Sequence, residues 1–462
     1  MTPSILIVAL VLLSFIAYQL GKARSLAVVG GARGIRNLHS LPGHYGLLTA
    51  LWCGLPALLL VAVWVAVQDQ VLIALVSAQL PASVQSLGND QFVLFLNDLR
   101  NVVAGNIPAS QVSPETAAAA AEYLRLRDVA RLALAALAFS IGIIAMLVVR
   151  GRIRADLRAR NSVERVLEGM LFLCSLVAVL TTIGIILSVV FEATRFFGIV
   201  PAQEFLFGTK WSPQMAIRAD QVGSSGAFGA VPLFAGTLLI SAIAMLVAVP
   251  IGLFSAIYLA EYAPSKVRSV VKPLLEVLAG VPTVVYGFFA VTTVGPLLRT
   301  AGESMGLTVA GESALAAGLV MGIMIIPFVS SLADDMITAV PQSLRDGAYA
   351  LGATRSETIK QVVLRAALPG IVGGVLLAIS RAIGETMIVV MAAGLAANLT
   401  AIPLGAVTTV TVQIVTLLVG DQEFDSPKTL AAFALGLMLF IVTLLLNVIA
   451  LYVVRKYREQ YE

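Results

Sequence analysis

Arg381 and Glu385 stand four residues apart within GGVLLAISRAIGETMIVVMAAG, a run otherwise apolar enough to cross a bilayer. A charge at the centre of a membrane helix costs about 2.5–3.5 kcal/mol on insertion scales, so two of them need a use. On a continuous helix, positions i and i+4 share a face, where the two side chains neutralise each other. Gly374 and Ala378 fall on that same face and let a neighbouring helix approach closely. The spacing therefore predicts a pair facing a helix bundle or a wet cavity. A guanidinium there offers a planar fork of donors suited to an oxyanion. A structural ion pair that only locks packing is the competing reading. With the helix starting near residue 368, Arg381 falls about 20 Å along it, close to mid-membrane.

The elements that must hold this pair are read from composition. Of 462 residues, 59% are hydrophobic and only 12% charged, whereas soluble domains average about a quarter charged. This is the composition of an integral membrane protein, with the lipid bilayer rather than nucleic acid as its surroundings. Nine apolar segments each approach the roughly 20 residues that a spanning helix needs. They fall near 4–20, 46–67, 130–149, 166–191, 233–260, 271–298, 314–333, 367–395 and 431–454, predicting an all-α polytopic fold. The first is not a signal peptide, because its basic residues (Lys22, Arg24, Arg33, Arg36) come after it. Six arginines lie between 150 and 165, and Arg455, Lys456 and Arg458 mark the tail. The loop 396–430 instead holds Asp421, Glu423 and Asp425 against Lys428. By the positive-inside rule the N-terminus lies outside and the C-terminus inside.

Several chemistries find no support. Cys53 and Cys174 both sit in apolar segments and read as free buried thiols. His39 and His44 are too few for a metal site. There is no G-x-x-x-x-G-K-[ST] phosphate loop, so ATP is not bound here in the usual way. No Ser–His or His–Glu cluster has usable spacing. The chain reads as a transport subunit without enzymatic activity or cofactor of its own.

Residues 1–160 form an accessory extension of three transmembrane helices with an outer segment at 68–129, in which Ser113 can cap a helix beginning at Pro114. Residues 161–462 form a six-helix core. Within it Gly280, Pro282 and Gly287 interrupt a span, and Thr283 and Tyr286 in GVPTVVYGFF either line a pathway or simply pack. The connection 334–366 is the core's longest inward-facing loop. Pro341 ends one helix, Ser343 can cap a short new one through Leu351, Gly352 stops it, and another starts at about Ser356. Such a helix-turn-helix is a docking element, or else an amphipathic helix resting on lipid.

Asp346, Gly347, Ala348, Gly352, Val362 and Leu364 follow the spacing of the "EAA" loop of ABC-importer permeases, with Asp for the usual Glu, Gly for the usual Ala and Arg365 for the usual proline. FLFGTKWSPQ (205–214), YLAEYAPSKVRSVVKPLLEVLAGVPTVVYGFF (258–289) and SRAIGETMIVV (380–390) resemble one subfamily, the PstC-type permeases of phosphate-specific ABC importers. The resemblance covers roughly 165–454. It implies a type I importer core in a bacterial inner membrane that passes inorganic phosphate by Arg381 and Glu385. It further implies coupling to an ATPase through Arg345, Asp346, Gly347, Ala348, Gly352 and Arg355. Its implied partners are a PstA-type permease, two copies of an ATP-hydrolysing subunit and a soluble phosphate-binding protein that docks on loops 192–232 and 396–430. The alternatives are another oxyanion such as sulfate or molybdate, a secondary transporter, or a signalling partner of a phosphate sensor acting through residues 1–160.

Overall fold

The computed structural model describes residues 3–78, 80, 89–213, 226–419 and 426–457. Asp421, Glu423, Asp425 and Arg458, used above for orientation, and Gln214 of the FLFGTKWSPQ string lie outside the described residues, as do parts of loops 192–232 and 396–430. Among the described residues nine helices are long and apolar enough to span a membrane. Seven coincide with expected segments, most of them running longer, and the other two, Thr283–Ser304 and Arg355–Ile383, overlap 271–298 and 367–395 with shifted bounds. The chain divides into two compact units, 1–180 and 181–462, with the division inside one long helix.

The first unit contains α1 (Pro3–Val28), α2 (Pro42–Ala78), α3 (Asn89–Ala104), α4 (Pro114–Arg152) and the start of α5 (Ala159–Ile199). Leu6 and Leu10 of α1, Ala57 and Val61 of α2, and Leu134, Ala135 and Ala138 of α4 share one core. Lipid tails supply no hydrophobic drive between such helices, so close packing must hold them. A Cβ at Gly46 of α2 would lie 2.8 Å from the Tyr18 ring and carbonyl of α1, so glycine sets that approach. Beyond the spans, Leu72, Val76, Leu99 and Tyr123 join α2, α3 and α4. The Tyr123 hydroxyl donates to Asp69 at 2.8 Å. Ser113 caps α4 as expected, its Oγ accepting from the Thr116 N–H at 3.1 Å. Cys53 is buried, but Cys174 is exposed, because the apolar window of α5 buries none of its residues within the chain.

The second unit holds the rest of α5, α6 (Ala202–Phe207), strands β1 (Trp211–Ser212) and β2 (Ala227–Phe228), and helices α7 to α17. β1 and β2 pair antiparallel, Trp211 opposite Phe228. The FLFGTKW string is the lid of one end of this unit: Phe205, Trp211 and Phe228 pack with Phe196, and the Phe196 ring meets those of Phe205 and Phe228 edge-on at 5.3 and 5.6 Å. Such geometry suits the quadrupoles of the rings. The Trp211 Nε1–H donates to Gln413 at 2.9 Å.

At the centre runs α11 (Ala314–Thr338), the most enclosed span, with 61% of its apolar window buried. It lies along α7 (Val231–Ile257), with which Gly318 and Gly322 make the close approach possible. A Cβ on either would fall within 3 Å of Ile243 or Val247. The N-terminal N–H groups of α11, orphans in any helix, are met by the Ser313 side chain and by the carbonyls of Gly405 and Pro403.

Two expected spans are re-cut by the fold. The segment 271–298 is not one helix: α8 (Ser265–Ala279) stops at Gly280, and α9 (Thr283–Phe289) starts after Pro282, continuing through a wide π-turn (Ala290–Val294) into α10 (Gly295–Ser304). Pro282 adopts the extended conformation (ψ 135°) that a helix cannot contain. The segment 367–395 is also broken. After α12 (Gln342–Ala350) and the single turn α13 (Arg355–Glu357), a π-turn (Thr358–Val363) leads into α14 (Leu364–Ile383). That helix ends at Gly384, α15 (Met387–Ala392) follows, and an irregular stretch with a turn at 403–405 leads to α16 (Val410–Leu418), before α17 (Pro427–Tyr457).

Candidate functional site

Arg381 occupies the last turn of α14, and Glu385 lies past its end. The i, i+4 argument assumed an unbroken helix and fails here, because Gly384 terminates α14 between the two residues. Among the described residues no ion pair joins them. Glu385 instead turns inward on its own chain, its Oε1 accepting from the Met387 N–H at 3.2 Å at the start of α15, while its carbonyl accepts from the Thr411 hydroxyl at 2.8 Å. A carboxylate at a helix start is well matched to the helix dipole.

Arg381 is exposed, and its guanidinium lies over the Phe328 ring, 5.5 Å from the centroid. The midpoint of α11 is residue 326, so Phe328 stands at half height in the most enclosed span. Gly374 packs on Leu332 and Gly370 on Met336 of the same helix, which keeps α14 in register with α11 down to its lower end. The guanidinium therefore sits at mid-span with an aromatic face as its neighbour, and a cation–π contact leaves its N–H edge free to donate.

Among the described residues no hydrogen bond or ring contact brings Thr283 or Tyr286 to Arg381. Tyr286 is buried, and its hydroxyl donates to the Leu278 carbonyl at 2.8 Å. It therefore ties α9 to α8. Thr283 opens α9.

The opposite end of α7 carries the second constellation. Arg345 of α12 is buried and fixed by three acceptors: Glu261, at 2.9 Å, and the carbonyls of Ile337 and Val340. Asp346 is exposed and accepts from Gln342 at 3.1 Å. Gly347 faces open space, so a side chain would fit there. Gly352 has φ +85°, the left-handed conformation that ends a helix at low cost only with glycine. Ser343 is not the cap of α12. Pro341 holds that position and Ser343 falls within the first turn, because the extended Pro341 already starts the helix at Gln342. The next turn is capped by Thr354 in a reciprocal box with Glu357. Arg355 donates to the Glu261 carbonyl and stacks over Tyr262 at 5.0 Å. Leu351, at the tip of the loop, is 91% exposed.

Sequence reasoning missed Asp334, which is nearly buried in α11. Arg268 of α8 donates to both of its oxygens at 3.0 and 3.1 Å, and Lys272 donates at 2.7 Å. The hydrogen bond to Asp334 raises the Lys272 pKa above its ordinary 10.5, against the opposing effect of burial. Nothing in spacing announces this cluster, since its members lie 62 and 66 residues apart. The only signal was the amphipathic pattern that places Arg268 and Lys272 on one face of α8.

The description "Phosphate ATP-binding cassette transporter" fits the family model matching residues 7–181. A second model, "Binding-protein-dependent transport system inner membrane component", matches 248–459. The chain is 32% identical over 275 residues to the probable ABC transporter permease protein YqgH of Bacillus subtilis, covering 59% of this chain and 84% of that protein. To the phosphate transport system permease protein PstC of Mesorhizobium japonicum it is 36% identical over 247 residues, 50% of this chain and 74% of that one. The chain belongs to the PstC family of ABC phosphate-transport permeases. A solved structure of the MetNI methionine ABC transporter, inward facing, is similar over 50% of this chain and 95% of its own, at 16% identity and a TM-score of 0.37. The first 160 residues, which the resemblance in the motifs left unexplained, thus have family relatives of their own.

Proposed function

We propose that this chain is the PstC-type half of an ATP-driven importer and passes inorganic phosphate by Arg381. The observation that carries the reading is a mid-span guanidinium with no carboxylate partner among the described residues, in a member of this family. An anion pathway needs a cation that binds firmly enough to admit and weakly enough to release. A guanidinium resting on an aromatic face, with Glu385 occupied elsewhere, can offer two parallel N–H donors to a phosphate edge. Thr283 and Glu385 lie nearer the margins of that role, and Tyr286 serves the packing of α8 and α9.

In this reading the loop 334–366 faces the cytoplasm. Its α12, with Arg345, Asp346, Gly347 and Ala348, docks on the ATPase together with Gly352 and Arg355, which follow it. Arg345 is the anchor that holds α12 to the π-turn after α7 and to the end of α11, and the exposed Leu351 is the knob. The N-terminus is outside, the C-terminus inside, residues 161–462 form the working core, and the membrane is the bacterial inner one. A PstA-type permease completes the pathway, two ATPase copies bind ATP, and a soluble phosphate-binding protein delivers from the other face. The test is Arg381→Gln in the assembled complex. Uptake of labelled phosphate should fall to background while the subunits still co-purify, and normal uptake would overturn the proposal. Competition by sulfate or molybdate in the same assay separates the oxyanions.

A further inference from the structure

A cavity of about 610 Å³ opens at the end of the second unit that carries α12, walled by the π-turn (Tyr258–Tyr262) that follows α7, by α8, by the end of α11, by α12 and by Arg355. Three guanidiniums line it (Arg268, Arg345 and Arg355), and Glu261 is the one carboxylate in its wall among the described residues. Counting the neighbouring Lys272 and Asp334, four cations stand against two buried or half-buried acids. The further acids are exposed: Asp335, which reaches Lys272 only at 3.7 Å, Glu276, and Asp346, which accepts from Gln342.

The three arginines are not equivalent. Arg345 is committed to structure through Glu261 and two carbonyls. Arg268 and Arg355 are bonded through Nη2 alone, so the Nε and Nη1 edges of both have no acceptor among the described residues. The partners of Arg355 are a neutral carbonyl and a tyrosine ring, which leave its charge uncompensated. Gln342 and Tyr349 of α12 add polar groups to the same wall. The space holds an anion with part of its hydration, at roughly 30 Å³ per water.

We infer that this cavity is a binding site for a phosphate-class anion, taking a tetrahedral oxyanion between the free edges of Arg268 and Arg355. Planar guanidinium forks recognise phosphate oxygens in pairs, whether the group belongs to free inorganic phosphate or to a lipid head. The bound anion would bridge α8 and α13 against the wall formed by α12, and so tie occupancy of the site to the position of this loop. The inference stands on the cavity and its charges, independently of any role of Arg381 in transport.

The full-length chain in phosphatidylcholine nanodiscs, titrated calorimetrically with inorganic phosphate, tests it. Binding should persist in Arg381→Gln. Removing the forks in Arg268→Gln/Arg355→Gln should weaken it by about tenfold or more per guanidinium lost. Gln342 is exposed and lies in the first turn of α12, where an acid is favourable, so Gln342→Glu should still fold although it gives up its surface bond to Asp346. It should weaken binding by a similar factor by placing a carboxylate in the wall. If phosphate does not bind but native mass spectrometry shows phosphatidylglycerol retained, and lost in Gln342→Glu, the site is confirmed with a lipid headgroup as its source. Absence of both ligands, or binding that both variants leave unchanged, overturns the inference.

Discussion

Arg381 was visible in the sequence because a charge inside an apolar run is costly wherever the chain places it. Its partner was not. Four-residue spacing pairs side chains only while the helix continues, and Gly384 ends it. Glu385 is thereby freed to serve the Met387 N–H. Glu385→Gln should therefore keep the fold, since an amide oxygen still accepts that bond. Glu385→Ala should lower stability by about 1 kcal/mol, as loss of a helix-start acceptor does, and thermal unfolding in detergent compares the two. Asp334 makes a stronger case. Asp334→Ala strands Arg268 and Lys272 and should cost about 1–3 kcal/mol, between exposed and fully buried pairs. Asp335→Ala, at an exposed site, should change stability by no more than about 0.5 kcal/mol. The raised Lys272 pKa also fixes a pH window. A cation favoured in the fold contributes fully below its unfolded value of 10.5 and loses that contribution as pH rises through the higher folded one. Melting temperatures followed from pH 7 to pH 9 should show no change traceable to this cluster, and Lys272→Met should remove a loss of stability seen only at more alkaline pH.

Elements were legible where one rule governs them. Each span is a run of about 20 apolar residues, and on that ground seven were placed and two more located with shifted bounds. The breaks were less legible, because proline and glycine inside membrane helices are tolerated when neighbours satisfy the backbone. Pro250 and Pro327 lie within α7 and α11 without ending them, whereas Pro282 starts a new helix. Around α12, local signals sufficed: Gly352 was assigned as the stop and has the positive φ expected of it. Gly352→Ala should cost about 1–2 kcal/mol, the left-handed penalty for a residue with a Cβ. Leu351→Asp, at a side chain with almost no contact in the chain, should leave the melting temperature unchanged. It should also abolish co-purification with the ATPase, which a pull-down measures directly.

For the whole molecule, composition gave the membrane class, and the arginine-rich loops gave an orientation that labelling of loop cysteines from each side can check. The division at residue 180 was not legible, because it falls inside the unbroken α5 and no loop or composition shift marks it. With no phosphate loop for ATP and six spans in the core, the chain alone in liposomes should neither hydrolyse ATP nor accumulate phosphate. Both activities should appear only when the second permease and the ATPase are reconstituted with it.

The bond from Trp211 to Gln413 has a practical use. Only Trp52 and Trp64 share its chemistry in the chain, and both belong to the first unit. Replacing those two with phenylalanine would leave a single tryptophan, selectively excited beyond the tyrosine absorption band, on the hairpin lid and hydrogen-bonded to α16. Its emission would shift to the red whenever that lid lifts and water reaches the indole, so movement at this end of the protein could be followed in real time without an attached dye.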